Sequence, residues 1–185
     1  MQKFASEFKT TNVVTKREKV IVGNLFDFVI NPDSGFVIGI IIEIFDKKKT
    51  KKTVNVSQVV GIGADFVMIV SLDDLAEPDE IIRIKEVLDS DIKIRNTKVY
   101  NQNNDYLGKV KDYTLNFHTM SLNRLYIRPA NMLKVILEDL VIPRNDIIKI
   151  EKNRIIVRSG AIKQKTTYPS SILKSKSVPR KTETA

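Results

Sequence analysis

Apolar and strand-forming residues fall in short runs separated by turn formers, the pattern of a β protein. Val20, Val22, Leu25, Phe28 and Ile30 lie among polar residues and predict a strand. Asn31-Pro32-Asp33-Ser34-Gly35 follows. Pro fixes φ, Asp bonds nearby backbone and Gly accepts positive φ, so this stretch predicts a turn. A β-branched run over 36–45 returns as a buried strand. The same pattern recurs over 106–116, with a turn near His118 and Thr119 and a return over 122–127 that Pro129 ends or edges. Shorter strands are predicted at 53–60, 66–71, 146–150 and 154–158. Glu77-Pro78-Asp79-Glu80 reads as a helix start, because Pro suits the first helical position and acids suit the positive end of the dipole. Ile81, Ile84 and Leu88 then share one helix face. An extended linker is the other reading.

The two long strand pairs repeat each other. Residues 22–42 align on 107–127 without a gap at an offset of 85, placing Gly23 on Gly108, Asp27 on Asp112, Asn31 on Asn116 and Phe28 on Tyr113. A second block aligns at an offset of 88, with Val59-Val60 on Ile147-Ile148 and Val67-Met68-Ile69 on Ile155-Ile156-Val157. The change of offset is a loop-length difference. Two units follow, not a many-copy solenoid. The expected architecture is mainly β: two small barrels, residues 1–76 and 91–162, joined by a short helix over 77–90. A basic tail, 163–185, is too poor in apolar residues to offset ordering entropy and is expected to be disordered.

Composition narrows the chemistry. Among 185 residues there is no Cys, so thiolate metal sites and Cys nucleophiles are excluded, and the one His, His118, leaves no poly-His site. No run approaches the length of a transmembrane helix. A non-enzymatic, cytoplasmic protein without a cofactor is expected. The net charge of +9 is uneven. Residues 1–88 hold 12 Lys+Arg against 13 Asp+Glu, residues 89–162 hold 13 against 8, and the tail 6 against 1. A basic second half favours an acidic protein face or RNA, although charge alone speaks to association and not to specificity.

Several stretches resemble the PRC-barrel domain. In the second unit these are Gly108-Lys109-Val110-Lys111-Asp112, then Ile142-Pro143-Arg144-Asn145-Asp146-Ile147-Ile148-Lys149-Ile150, then Ile155-Ile156-Val157. The first unit matches through the lead-in Ala5-Ser6-Glu7-Phe8, residues 23–35 and residues 59–67, but carries Asn55 where the Pro falls. The resemblance implies strongly bent β-barrels, no catalysis and a role in protein binding. In that family such binding sometimes lies within a ribonucleoprotein, as in the ribosome maturation factor. The reaction-centre H subunit is another member, but this chain lacks its transmembrane helix. The fold is implied; the site is not.

Candidate contacts are the basic residues. Lys47, Lys48, Lys49, Lys51 and Lys52 form a hairpin loop that either grips phosphates or is simply solvated; no aromatics interleave for base stacking. Lys109, Lys111, Arg124, Arg128, Lys134 and Arg144 give unit two its charge, and with Tyr113 and Tyr126 they form either an aromatic-anchored patch or scattered charge around core-facing rings. Gly23, Asp27, Gly35, Gly108, Asp112 and Pro143 are read as structural positions. Gly61-Ile62-Gly63 is read as a tight turn, since no helix pattern and no third Gly follow. The acids from Asp73 to Glu80 fit no ion loop. The reading is an adaptor acting by protein–protein binding, with an RNA- or ribosome-associated assembly factor as the alternative; the internal twofold repeat also permits a homodimer.

Overall fold

The computed structural model of the protein describes residues 3–130 and 139–160. A first sheet contains β1 (Asn12–Thr15), β2 (Ile21–Ile30), β3 (Val37–Ile44), β4 (Lys51–Asn55), β5 (Val59–Ile62) and β6 (Phe66–Ile69), in the order β4-β3-β2-β1-β6-β5. A second contains β7 (Lys98–Asn101), β8 (Tyr106–Asn116), β9 (Ser121–Pro129), β10 (Leu140–Pro143), β11 (Ile147–Ile150) and β12 (Arg154–Val157), in the order β10-β9-β8-β7-β12-β11. Shifting every strand by six maps one order onto the other. The parallel pairings also correspond: β1 with β6, and β7 with β12. The helix α1 (Ile82–Asp89) lies between the sheets in sequence. The candidate Lys134 and the tail 163–185 fall outside the described residues.

The repeat extends to single hydrogen bonds. The register slips between Leu25 and Asp27 in β2, and between Val110 and Asp112 in β8. At each bulge the carboxylate accepts the next N–H, from Phe28 at 2.9 Å and from Tyr113 at 2.8 Å. The Asp therefore occupies an irregular point of the ladder and supplies an acceptor there. Both hairpins turn on an Asn whose side-chain oxygen accepts two N–H groups: Asn31 from Asp33 and Ser34, Asn116 from His118 and Thr119. Gly23 and Gly108 are fixed by space. A Cβ there would lie 2.1 Å from the Glu43 oxygen and 2.0 Å from the Arg128 oxygen, respectively.

The two hairpin ends meet. Phe36 bridges Ser121, the Val37 N–H donates to the Met120 oxygen at 2.7 Å, and the Leu122 N–H donates to the Gly35 oxygen at 2.8 Å. At the offset of 85, Phe36 corresponds to Ser121, Val37 to Leu122 and Gly35 to Met120. The pairing is thus reciprocal, as across a twofold axis. Behind it Phe8 and Phe28 pack on Phe117 at 5.0 and 6.2 Å between ring centres. One apolar cluster runs through both units, from Phe8, Leu25 and Ile40 to Leu115, Leu125 and Ile155.

Some local expectations change. The strand expected over 53–60 is two strands, because residues 56–58 make a 3-10 turn in which Asn55 accepts the Ser57 N–H at 3.0 Å. Gly61 and Ile62 belong to β5, so the turn begins only at Gly63, whose N–H donates to the Phe66 oxygen. The helix starts at Ile82 rather than at Pro78. Upstream, Ala76 exchanges backbone hydrogen bonds with Thr53 of β4, and the Glu80 carboxylate accepts the Glu77 N–H. The chain cannot coil until it has left the sheet.

Candidate functional site

An apolar cleft of about 490 Å³ lies where β2, β3, α1 and the segment 91–96 converge. Its apolar lining comes from Phe26, Phe28, Val29, Ile30, Pro32 and Ile41 on the first sheet, and from Val87, Leu88, Ile92 and Ile94 on the linker; Ile150 and Tyr113 reach it from the second unit. The helix wall is set by Ile84, which is fully buried against Gly39; a Cβ on Gly39 would lie 2.5 Å from the Ile84 side chain.

Polar groups cross the cleft between units. Arg95 donates to Asp27 at 3.2 Å, and the Tyr113 hydroxyl lies 3.5 Å from the same carboxylate. Burial, and then the nearby Asp27 carboxylate, push the Tyr113 hydroxyl well above the usual phenol range. It therefore stays protonated at neutral pH and serves as a donor. On Phe26, a lining residue, the Lys51 ammonium sits 3.6 Å from the ring centre and that of Lys9, itself on the lining, 5.4 Å from it.

Asp112 of the second unit has a counterpart arrangement. The Ser6 hydroxyl donates to Asp112, as Arg95 does to Asp27. The lead-ins match at an offset of 86: Thr10 and Asn96 both have positive φ, and both donate to β2 or β8, to Leu25 and Val110. Each unit's lead-in thus grips the bulge Asp of the other. On the Asp112 side, however, the space is filled. Phe4 bridges Thr114 and sets its ring edge-on to Tyr126, 4.7 Å between centres. The Thr114 and Tyr126 hydroxyls are buried there without hydrogen-bond partners. The first unit has Val29 where the second has Thr114. Thr114→Val is therefore expected to raise stability by about 1 kcal/mol, because it removes an unpaired buried hydroxyl at nearly constant shape. Urea unfolding of the variant checks this.

The basic residues expected to bind a partner do not gather into one patch. Lys109, Lys111 and Arg128 line a second cavity of about 220 Å³, with Lys109 directly opposite Arg128 across β8 and β9. Lys111 is paired with Asp139 at 2.7 Å. Arg124 stands opposite Thr114 on one side and Pro143 on the other. Arg144 is an inter-unit hook, donating to the Asp33 oxygen at 3.2 Å and to the Ile147 oxygen at 3.1 Å. Tyr126 is fully buried and Tyr113 nearly so, which removes Tyr126 as a surface contact: the rings face the core. In the lysine loop, Lys47 and Lys48 are exposed, Lys49 is 3.8 Å from Glu43, and Lys52 pairs with Glu77. His118 is exposed in its turn. Asp73 pairs with Arg17, and Asp74 accepts the Ser71 N–H. Among the described residues no cluster of His, Asp or Glu is placed to hold a metal ion, and no helix is long and apolar enough to cross a membrane.

The sequence missed the cleft. Its only trace was the register of the repeat, continued upstream to Phe4 and Ser90.

Residues 86–164 match the family model of the PRC-barrel domain. The matched stretch takes in the end of α1 and all of the second sheet. No curated protein matches the chain.

Proposed function

We infer that the chain is a non-enzymatic adaptor made of two PRC-type units, and that it works by binding another protein. The observation that carries this reading is the cleft: apolar walls from both units, braced by Arg95, Asp27 and Tyr113, with lysines over its Phe26. The first unit is read as PRC-type because its strand order, bulge Asp and Asn turn repeat those of the matched second unit. An apolar cleft flanked by lysines suits recognition of a protein segment better than turnover of a substrate.

A second reading has its own observation. Lys109 and Arg128 face each other across β8 and β9 beside Lys111. Like charges directly opposite destabilise a sheet unless an anion comes between them. A phosphate backbone is such an anion, so RNA association is the alternative.

Affinity capture with the full chain, at low and high salt and with or without nuclease, separates the two. A discrete protein partner retained after nuclease is expected. Loss of all bound material on nuclease treatment overturns the adaptor reading. In that case, Lys109→Glu with Arg128→Glu is expected to weaken RNA binding and to flatten its salt dependence.

A further inference from the structure

We propose that the cleft beside α1 is the vacant twin of the Phe4 socket, and that it binds a partner's peptide segment through one phenylalanine with a carboxylate next to it. This rests on the protein-binding reading and names its site and ligand chemistry.

The argument starts from the internal repeat. Phe4 sits between Tyr126 of β9 and Thr114 of β8 and pairs with Thr114 as an isolated antiparallel bridge. At the offset of 85 the corresponding floor residues are Ile41 of β3 and Val29 of β2, and both line the cleft. At the lead-in offset of 86, the residue in the place of Phe4 is Ser90. Ser90 ends α1, and Asp91 after it takes a positive φ of 51°, so this lead-in departs from the path of 4–8. Val29 has no bridge like that of Thr114 among the described residues. One half of the molecule therefore shows a peptide segment with an aromatic side chain seated on this floor. The other half has the same floor, more apolar, with Ser90 in the place of the ring and no bridge on Val29 among the described residues.

The rim selects the flanks. Lys9 and Lys51 both lean on Phe26, and neither is in an ion pair among the described residues. The two carboxylates on the cleft lining are already paired, Asp27 with Arg95 and Asp91 with Lys93 and Lys152. An incoming segment thus meets two lysines on the Phe26 ring that have no ion pair among the described residues, beside carboxylates that are already neutralised, which favours a carboxylate next to the anchor ring. The mode is that of Phe4 itself: one extended residue bridged to the open edge of the strand, its ring in a side-chain pocket, with the chain coiling away after it.

The probe is an N-acetylated, amidated peptide of this chain's own residues 3–9, with its two lysines changed to glutamate. Binding to the full chain is followed by amide shifts and by polarisation of a labelled copy. Saturable shifts are expected at Val29, Ile41, Ile92 and Arg95. Replacing the peptide's first phenylalanine with alanine, or making Leu88→Asp in the protein, is expected to weaken binding about tenfold or more. Leu88 is exposed on the cleft wall, so its change leaves the fold intact. Ile41→Trp, which fills the cleft from its floor, is expected to do the same. Absence of saturable shifts, shifts elsewhere on the chain, or equal affinity for the phenylalanine and alanine peptides overturns the proposal. If a captured protein partner is not displaced by this peptide and still binds Leu88→Asp, the cleft assignment falls while the adaptor reading stands.

Discussion

Gly108→Ala lowers the stability of the folded chain by about 3 kcal/mol, read as a drop in the urea midpoint at unchanged slope. Two costs combine. The added Cβ meets the Arg128 carbonyl oxygen at 2.0 Å, and that oxygen belongs to the paired strand and cannot swing away as a side-chain tip would. The φ of +147° adds strain for any L residue with a Cβ. Gly23→Ala has the first cost through Glu43 and is expected to lose somewhat less. Gly160→Ala, where a Cβ meets nothing within 4 Å, is the control and should stay within about 0.5 kcal/mol of the parent. Both core-side variants should shift one and the same transition. Phe8 and Phe28 stack on Phe117, and the hairpin ends exchange backbone hydrogen bonds, so neither unit can unfold alone without exposing the shared core. Two separate transitions in Gly108→Ala, the first unit surviving the second, would show the units to be independent.

What the sequence made legible, and what it hid, follow from the range of the forces. The gap-free register of 22–42 on 107–127 could be read because backbone demands write themselves into residue type. A close carbonyl asks for Gly at 23 and 108, a bulge acceptor asks for Asp at 27 and 112, and a side-chain turn asks for Asn at 31 and 116. Strands β1, β7 and β10 were not read; β6, β11 and β12 are just as short, but they fall in the aligned repeat block and these three do not. The burial of Tyr126 was one of two open readings, because what covers the ring comes from far away in the sequence. Tyr126 alternates with its neighbours Leu125 and Ile127, yet all three are buried, because Phe4 from the lead-in packs edge-on against the Tyr126 ring. The cleft needed both the fold and the repeat. Ser90 is unremarkable as a residue and informative only as the position opposite Phe4.

Phe4→Ala tests that equivalence from the filled side. The ring is only 7% exposed, edge-on to Tyr126, and its removal is expected to cost about 3 kcal/mol. Phe4→Leu should cost about 1 kcal/mol, since it keeps most of the volume and loses only the aromatic contact. Thermal unfolding of the pair measures both. The loss in Phe4→Ala stays toward the low end for such a change, because the Thr114 and Tyr126 hydroxyls are present to hold a water in the vacated space. The same variant makes a binding prediction. With its ring gone, the socket beside Thr114 presents the same kind of floor as the cleft beside Val29. Titration with the acidic phenylalanine peptide should then show a second site, with shifts at Thr114 and Tyr126, that the parent protein lacks. Thr114→Val in the Phe4→Ala background makes that floor as apolar as the first and should tighten the second site. If Phe4→Ala is destabilised as expected yet takes up no second peptide, the two sockets share a strand register but not a recognition chemistry.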